Sequence, residues 1–240
     1  MFIYVGGESD EWVDDALKEA TNKDMIVINL LDVLGDSVKE EEVKEGMQAD
    51  EEEADDEDEE EPEYDEHVWL SLKNAKVLCG KITDELCTLD SENADTYKNN
   101  LKAYDEKLDK LDGEFKSLTD GAKNKTLIFG DRFPFRYFVD DYGLDYFAAF
   151  VGCSAETEAS FETIVFLANK VDELNSGTIF TIENSDKKIA ETIKSNTKSK
   201  KQNIAELNSL QSVTNEQIDS GTTYLSAMQD NYTVLKEALQ

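Results

Sequence analysis

Apolar residues in the first third of the chain form short runs that alternate with a stripe of helical spacing. The run 2–5 stops at Gly6 and Gly7, which predicts a first strand. Ser9 is a candidate N-cap for the helix that follows, and the continuous apolar run 25–34 predicts a second strand, covered on both faces. Strand, helix and strand in this order indicate an α/β lobe.

The longest helical stripe follows a shorter helix that is predicted to begin at Ser71. The stripe begins at Ser91 and repeats apolar residues every three or four positions over about 25 residues. This spacing predicts a helix of roughly 37 Å. The stripe fits either a coiled coil or a single helix running the length of the protein.

The second half of the chain alternates four strand-like runs with helical runs. The strands are predicted in KTLIFG, DYFAAFVG, GTIFTIE and QNIAELNSL. The intervening helices are predicted to end at Gly143 and to begin at Ser185 and Thr214. This order favours a mostly parallel four-stranded sheet with helices on both faces.

The predicted fold class is therefore α/β, with two lobes that each contain a parallel sheet flanked by helices. The N-terminal lobe is predicted over residues 1–90, one long rigid helix over 91–119, and the C-terminal lobe over 120–240. An acidic segment, 36–63, interrupts the first lobe. It contains too few apolar residues to offset the entropy of ordering, so it is predicted to be a disordered loop.

The net charge of −31 comes from 55 acidic and 24 basic residues. Residues 40–66 alone hold 18 acids and one lysine. Nucleic acid as a partner is excluded, because phosphate binding needs clustered lysine and arginine. An anionic membrane surface is disfavoured for the same reason.

The chain shows few signs of export, membrane insertion or catalysis. Its three cysteines form no CxxC pair, and no apolar run reaches the roughly 20 residues of a membrane span. The N-terminus lacks the basic region and cleavage site of a signal peptide. No phosphate-binding loop, dinucleotide fingerprint or nucleophile elbow is present, so we do not expect an enzyme.

Three residues are candidates for metal chemistry. His67 is the only histidine, and it lies between the acidic segment and a helix, so it is either a zinc ligand or a lone surface or helix-cap histidine. Glu183 ends a buried strand, where it could bind a ligand. Alternatively, its negative charge could interact favourably with the dipole at the start of the next helix. Cys153 could supply a thiolate ligand to a zinc site, or it could be an inert side chain that only packs against its neighbours.

Three stretches, YDEHVWLSLKNA, GDRFPFRYFVDDYGLDY and TYLSAMQDNYTVLKEAL, resemble the substrate-binding proteins of ABC importers for zinc and manganese. The resemblance implies two α/β lobes joined by a long helix, with the metal held between the lobes. It also implies a monomer that delivers its metal to an ABC permease and, in full-length relatives, a membrane-anchored extracytoplasmic location. The family's signal, first strand and helix, and first metal histidine are missing, so an incomplete N-terminal lobe is expected.

The resemblance also implies a set of metal ligands. The family's second histidine falls on His67, and its later acidic ligands fall on Glu183 and Asn208. A third ligand falls at Arg132, which cannot bind a cation, although its neighbour Asp131 could turn inward. Zn²⁺ is the expected metal, with Mn²⁺ as the second candidate.

Two functions remain open on the sequence. One is capture of a divalent transition metal, with zinc first, for an ABC importer. The alternative is a degenerate or truncated relative that keeps the fold for a structural or interaction role and has no high-affinity metal site. A weaker third possibility is nonspecific cation buffering by the acidic segment.

Overall fold

The computed structural model describes residues 1–48, 63–154 and 158–240. The described chain divides into two compact units. The first unit comprises residues 1–41 and 63–112, and the second comprises residues 42–48, 113–154 and 158–240.

The first unit begins with a parallel pair of strands, β1 (Phe2–Tyr4) and β2 (Val27–Asn29), connected by helix α1 (Trp12–Glu19). The second half of the predicted strand 25–34 is wrong, because it forms helix α2 (Leu30–Leu34). The Asn29 side chain accepts a hydrogen bond from the Asp32 amide and so caps α2.

The predicted N-cap Ser9 is also wrong, because it lies inside a 3₁₀ turn, Glu8–Asp10. Glu11 occupies the N-cap position of α1 instead, with no side-chain capping bond. The Ser9 amide donates to Glu66 Oε1 at 2.9 Å, so Ser9 ties the turn to the segment that holds the candidate histidine.

Two long helices follow, α3 (Leu72–Leu89) and α4 (Ala94–Gly121), joined by the 3₁₀ turn Ser91–Asn93. Ser71 caps α3 as predicted, accepting a hydrogen bond from the Asn74 amide at 3.0 Å. The 28 residues of α4 form one continuous helix, which confirms the long central helix.

The second unit contains six short strands in parallel pairs. The strands are β3 (Thr126–Ile128), β4 (Arg132–Phe133), β5 (Asp145–Phe147), β6 (Phe150–Val151), β7 (Thr178–Ile182) and β8 (Asn203–Leu207). β3 pairs with β5 and β7 pairs with β8, and a parallel bridge from Phe129 to Phe180 connects the two pairs. β4 pairs with β6, so DYFAAFVG supplies two strands where one was predicted.

Five helices accompany these strands: α5 (Arg136–Tyr142), α6 (Phe161–Glu173), α7 (Lys188–Asn196), α8 (Asn215–Asp219) and α9 (Tyr224–Leu239). Gly143 closes α5 in the left-handed conformation, as predicted. Ser185 does not cap α7, because Lys187 occupies that position. Thr214 caps only the short α8, and a second capping box at Thr223 starts α9, so the single C-terminal helix predicted is wrong.

The main core of the second unit lies where the strands meet α6 and α7. Its fully buried members include Ile128, Leu167, Ile179 and Ile193. A second cluster surrounds Phe115 of α4, whose ring contacts those of Phe138, Tyr142 and Tyr232 at centroid distances of 5.0, 5.2 and 5.5 Å. This cluster fixes the C-terminal half of α4 to the second unit.

The acidic segment does not begin as a disordered loop at residue 36. Residues 42–48, here called the strap, belong to the second unit and contact the rest of it through specific bonds. The Gln48 amide donates to the Ala149 carbonyl at 3.0 Å, and Gln48 Oε1 accepts from the Ser160 amide at 2.8 Å. Lys44 forms an ion pair with Asp145. The rest of the predicted loop, residues 49–62, lies outside the described residues.

Candidate metal site

His67 is almost fully buried and lies immediately before the 3₁₀ turn Val68–Leu70. Its backbone amide donates to Asp65 Oδ1 at 2.8 Å, and its ring Nδ1 lies 3.1 Å from the same oxygen. The Trp69 ring lies beside it, with centroids 5.4 Å apart. A buried imidazole in contact with a carboxylate is an arrangement common among metal-binding histidines.

The segment around His67 is held from both sides within the first unit. The Asp65 amide donates to the Lys39 carbonyl at 2.9 Å, and Glu40 forms an antiparallel bridge with Tyr64. The Glu66 carboxylate accepts the Ser9 amide. The backbone that carries the imidazole is therefore fixed by long-range hydrogen bonds as well as by its own turn.

Glu183 lies just after β7 and is buried. Both of its oxygens accept hydrogen bonds from the loop after β8. The Ser209 amide donates to Oε2 at 2.7 Å, and the Ser209 hydroxyl and the Gln211 amide donate to Oε1 at 2.7 and 3.1 Å. A metal ion at Glu183 would have to share or displace these donors.

Asn208 follows β8, and its polar groups form a structural bond network. Its amide donates to Asn231 Oδ1 at 2.7 Å, and its carbonyl accepts from Asn231 Nδ2 at 2.8 Å. Its side-chain oxygen accepts the Leu210 amide at 2.8 Å. Asn208 therefore connects the end of β8 to α9 and shapes the loop that holds Glu183.

Asp131 lies beyond the end of β3 and lines a cavity of about 250 Å³ within the second unit. The full lining comprises Gly130, Asp131, Arg132, Phe150, Asn184, Ser185, Asp186 and Ile189. One Asp131 oxygen accepts the Arg132 amide at 2.9 Å. Since the positive charge of Arg132 lines the same cavity, it lowers the affinity of Asp131 for a cation there.

Three of the four candidate ligands lie at one edge of the sheet. Asp131, Glu183 and Asn208 each follow the carboxyl end of a strand of the second unit, and Asp131 Oδ2 accepts the Ile182 amide at 3.4 Å. His67 belongs to the first unit. Across the part of the chain that the structure describes, no three His, Cys, Asp or Glu side chains are grouped closely enough to hold a metal ion.

The structure adds residues that the sequence did not single out. Asp65 contacts the imidazole, and Ser209 and Gln211 hold Glu183. Asp65 could have been found from its position two residues before the only histidine, since a nearby carboxylate often supports a metal-binding imidazole. Cys153, the candidate thiolate, is exposed.

Comparison with known proteins assigns the class of protein. The family model described as "ZnuA: Zinc-uptake complex component A periplasmic" matches residues 1–238, and the chain belongs to this family. The family consists of substrate-binding proteins of metal ABC transporters, of the zinc and manganese type, and not of enzymes. The predicted recognition, fold class and lack of catalysis are therefore confirmed.

Individual relatives are similar over nearly all of the chain. Zinc-binding protein AdcA of Streptococcus pyogenes is 27% identical over 239 residues, which are 98% of this chain and 45% of the relative. The chain thus spans about half the length of the curated relatives it matches.

Two of the similar solved structures illustrate the shared fold. The Zn(II)-bound ZnuA-like domain of Streptococcus pneumoniae AdcA has a TM-score of 0.71 and 27% identity, covering 99% of this chain and 79% of that one. The metal-dependent lipoprotein YcdH of Bacillus subtilis has a TM-score of 0.75 and 26% identity, covering 100% and 80%. Among the described residues of this chain, every helix is too short or too polar to cross a membrane.

Proposed function

We propose that this chain captures zinc as the cargo of an ABC importer and delivers it to the permease of that importer. Membership of the zinc-uptake family supports the class of cargo, and the similar AdcA domain is named as Zn(II)-bound. Manganese is the second candidate metal. Lipoproteins among the relatives support an extracytoplasmic location.

The observation that carries the proposal is the setting of His67. It is the only histidine of the chain, it is buried, and its Nδ1 contacts a buried carboxylate. Zinc commonly takes neutral imidazole together with carboxylate ligands. Participation of Asp131, Glu183 and Asn208 in the same metal site, which the family resemblance implies, stays a prediction.

The second candidate function is a structural or interaction role without a high-affinity metal site. Two observations favour it. The Glu183 carboxylate already accepts three hydrogen bonds from its own unit, and Arg132 places a positive charge beside Asp131. Both features work against cation binding in the second unit.

Thermal unfolding with and without zinc separates the two functions. A ligand that binds only the folded state stabilises it by about 2.7 kcal/mol at 100 times its Kd. For a chain of this size, that corresponds to a rise in Tm of roughly 5–10 °C. We expect this rise with zinc, its reversal by a chelator, and little effect of calcium at the same concentration.

Calcium serves as the control for the acidic segment, because carboxylate-rich segments bind hard divalent cations weakly and without imidazole. A stable fold whose Tm does not rise with zinc would rule out zinc capture by this chain. Equal rises with zinc and calcium would assign the effect to the acidic residues and favour the second function.

A further inference from the structure

The contact between Asp65 and the His67 ring has a specific chemical consequence. We propose that Asp65 is a positioning residue that holds His67 as the tautomer protonated on Nδ1, which leaves the metal-binding lone pair on Nε2. This inference deepens the proposed function, since it names the residue that prepares the imidazole for zinc.

The geometry of the pair is the first support. Asp65 and His67 are 2% and 1% exposed, so the contact between them is shielded from water. The distance of 3.1 Å between His67 Nδ1 and Asp65 Oδ1 is within hydrogen-bond range. Hydrogen bonds in such a shielded environment are electrostatically stronger than in water.

The chemistry of the two groups then determines which ring nitrogen of His67 carries the proton. An ionised carboxylate only accepts hydrogen bonds, so the proton of the bond must belong to Nδ1. A neutral imidazole carries one ring proton, and its lone pair must therefore lie on Nε2. A carboxylate that accepts the proton on Nδ1 in this way commonly fixes the tautomer and orientation of a metal-binding imidazole.

The orientation of Asp65 is itself determined by the fold. The same Asp65 oxygen accepts a hydrogen bond from the backbone amide of His67, and this bond closes the short turn between the two residues. The Asp65 amide is held by the Lys39 carbonyl, which belongs to a distant part of the first unit. The carboxylate is thus fixed relative to the ring before any ligand arrives.

The single histidine makes this inference directly measurable in the metal-free protein. The ¹⁵N-histidine NMR spectrum of the chain contains signals from one imidazole only. At about pH 8, above the usual histidine pKa of about 6.5, we expect a pyrrole-type Nδ1 and a pyridine-type Nε2. A wild-type spectrum with a pyridine-type Nδ1 would overturn the proposal.

Three variants test the role of the carboxylate. Asp65→Ala removes the acceptor, so both tautomers should become populated, and zinc affinity should fall by about 10–100-fold. Asp65→Asn keeps an oxygen acceptor without the charge, so its tautomer ratio and affinity should lie between those of the wild type and Asp65→Ala. Glu66→Gln is the matched control, because Glu66 is a neighbouring buried carboxylate bonded to the Ser9 amide.

The outcomes distinguish this proposal from the proposed function. An unchanged tautomer in Asp65→Ala, or equal losses of affinity in Asp65→Asn and Glu66→Gln, would contradict the role of Asp65. If the wild type has the expected tautomer and the variants shift it, but zinc leaves the histidine signals unmoved, the positioning role stands and zinc capture at His67 fails.

Discussion

At the scale of single residues, Glu183 accepts three hydrogen bonds from the loop after β8. Substituting Glu183→Gln should destabilise the unit by about 2–3 kcal/mol, because hydrogen bonds to a charged acceptor are lost and an amide donor would face the loop donors. Urea unfolding followed by far-UV circular dichroism measures this change.

The matched control for Glu183→Gln is Glu206→Gln in β8. Glu206 pairs with Lys187 at 3.4 Å, and both side chains are nearly half exposed, so its loss should cost less than about 1 kcal/mol. Similar stability of the two variants would show that the bonds of Glu183 to the loop contribute little.

The ion pair between Lys44 of the strap and Asp145 predicts how the free energy of unfolding depends on pH. Burial raises the pKa of Asp145, but hydrogen bonds from the Lys44 ammonium and the Tyr146 amide lower it by more, so this pKa lies below its usual value. A carboxyl with a lowered pKa stabilises the folded state above its unfolded pKa of about 3.9. This contribution is lost as the pH falls through the folded pKa.

We therefore expect the wild type to exceed Asp145→Asn in unfolding free energy at neutral pH, with a difference that shrinks below about pH 4. The difference should be under about 1 kcal/mol, because the Asp145 side chain is 58% exposed. Chemical denaturation across this pH range tests it. In a Lys44→Ala background, most of the pH dependence should disappear; if it persists there, Lys44 is not its source.

The sequence identified His67 as a candidate residue but could not identify its surroundings. Its contact with Asp65 depends on the backbone turn between them. The partners of Glu183 are amides and a hydroxyl of a loop that follows a different strand, and no local pattern encodes them. Local patterns therefore identify reactive residue types, whereas hydrogen-bond partners depend on the packing of distant segments.

At the scale of elements, the strap depends on Gly46. Its φ of +85° lies in the left-handed region, and a Cβ there would overlap the Phe166 ring. Gly46→Ala should cost more than the roughly 1–2 kcal/mol of the backbone conformation alone, and should increase hydrogen exchange at the Gln48 amide, which bonds to Ala149. Exchange NMR measures the second effect residue by residue.

Gly143→Ala is the control that separates the steric overlap with Phe166 expected in Gly46→Ala from the cost of the backbone conformation. Gly143 also has a positive φ, 59°, but nothing lies within 4 Å of the position of its Cβ. We expect this variant to show the backbone cost without faster exchange at Gln48. Equal stability of the two variants, with unchanged exchange at Gln48, would contradict close packing of the strap on Phe166.

The order of most elements could be predicted from the sequence, but several of their boundaries could not. The apolar run 25–34 is compatible with a strand throughout, and only the Asn29 cap shows where β2 gives way to α2. The C-terminal stripe continues through the break before Thr223, because apolar periodicity does not reveal a capping box inside a helical pattern. Tertiary contacts decide such boundaries.

At the scale of the whole molecule, family membership and net charge both favour the binding of cations. The chain belongs to a family of metal-binding proteins of ABC importers, and its net charge of −31 favours cations near its surface. That charge also predicts weak, salt-sensitive cation binding in addition to any specific site. The two kinds of binding differ in stoichiometry and in their dependence on His67.

Calorimetric titration of zinc into the wild type and into His67→Ala tests the central claim most directly. We predict one site in the wild type and a loss in the variant beyond the roughly 10–100-fold caused by losing a supporting residue. Circular dichroism should confirm that the variant folds, and His67→Gln provides a larger side chain if His67→Ala does not. Weak binding at many sites, unchanged in a folded His67 variant, would contradict zinc capture at His67.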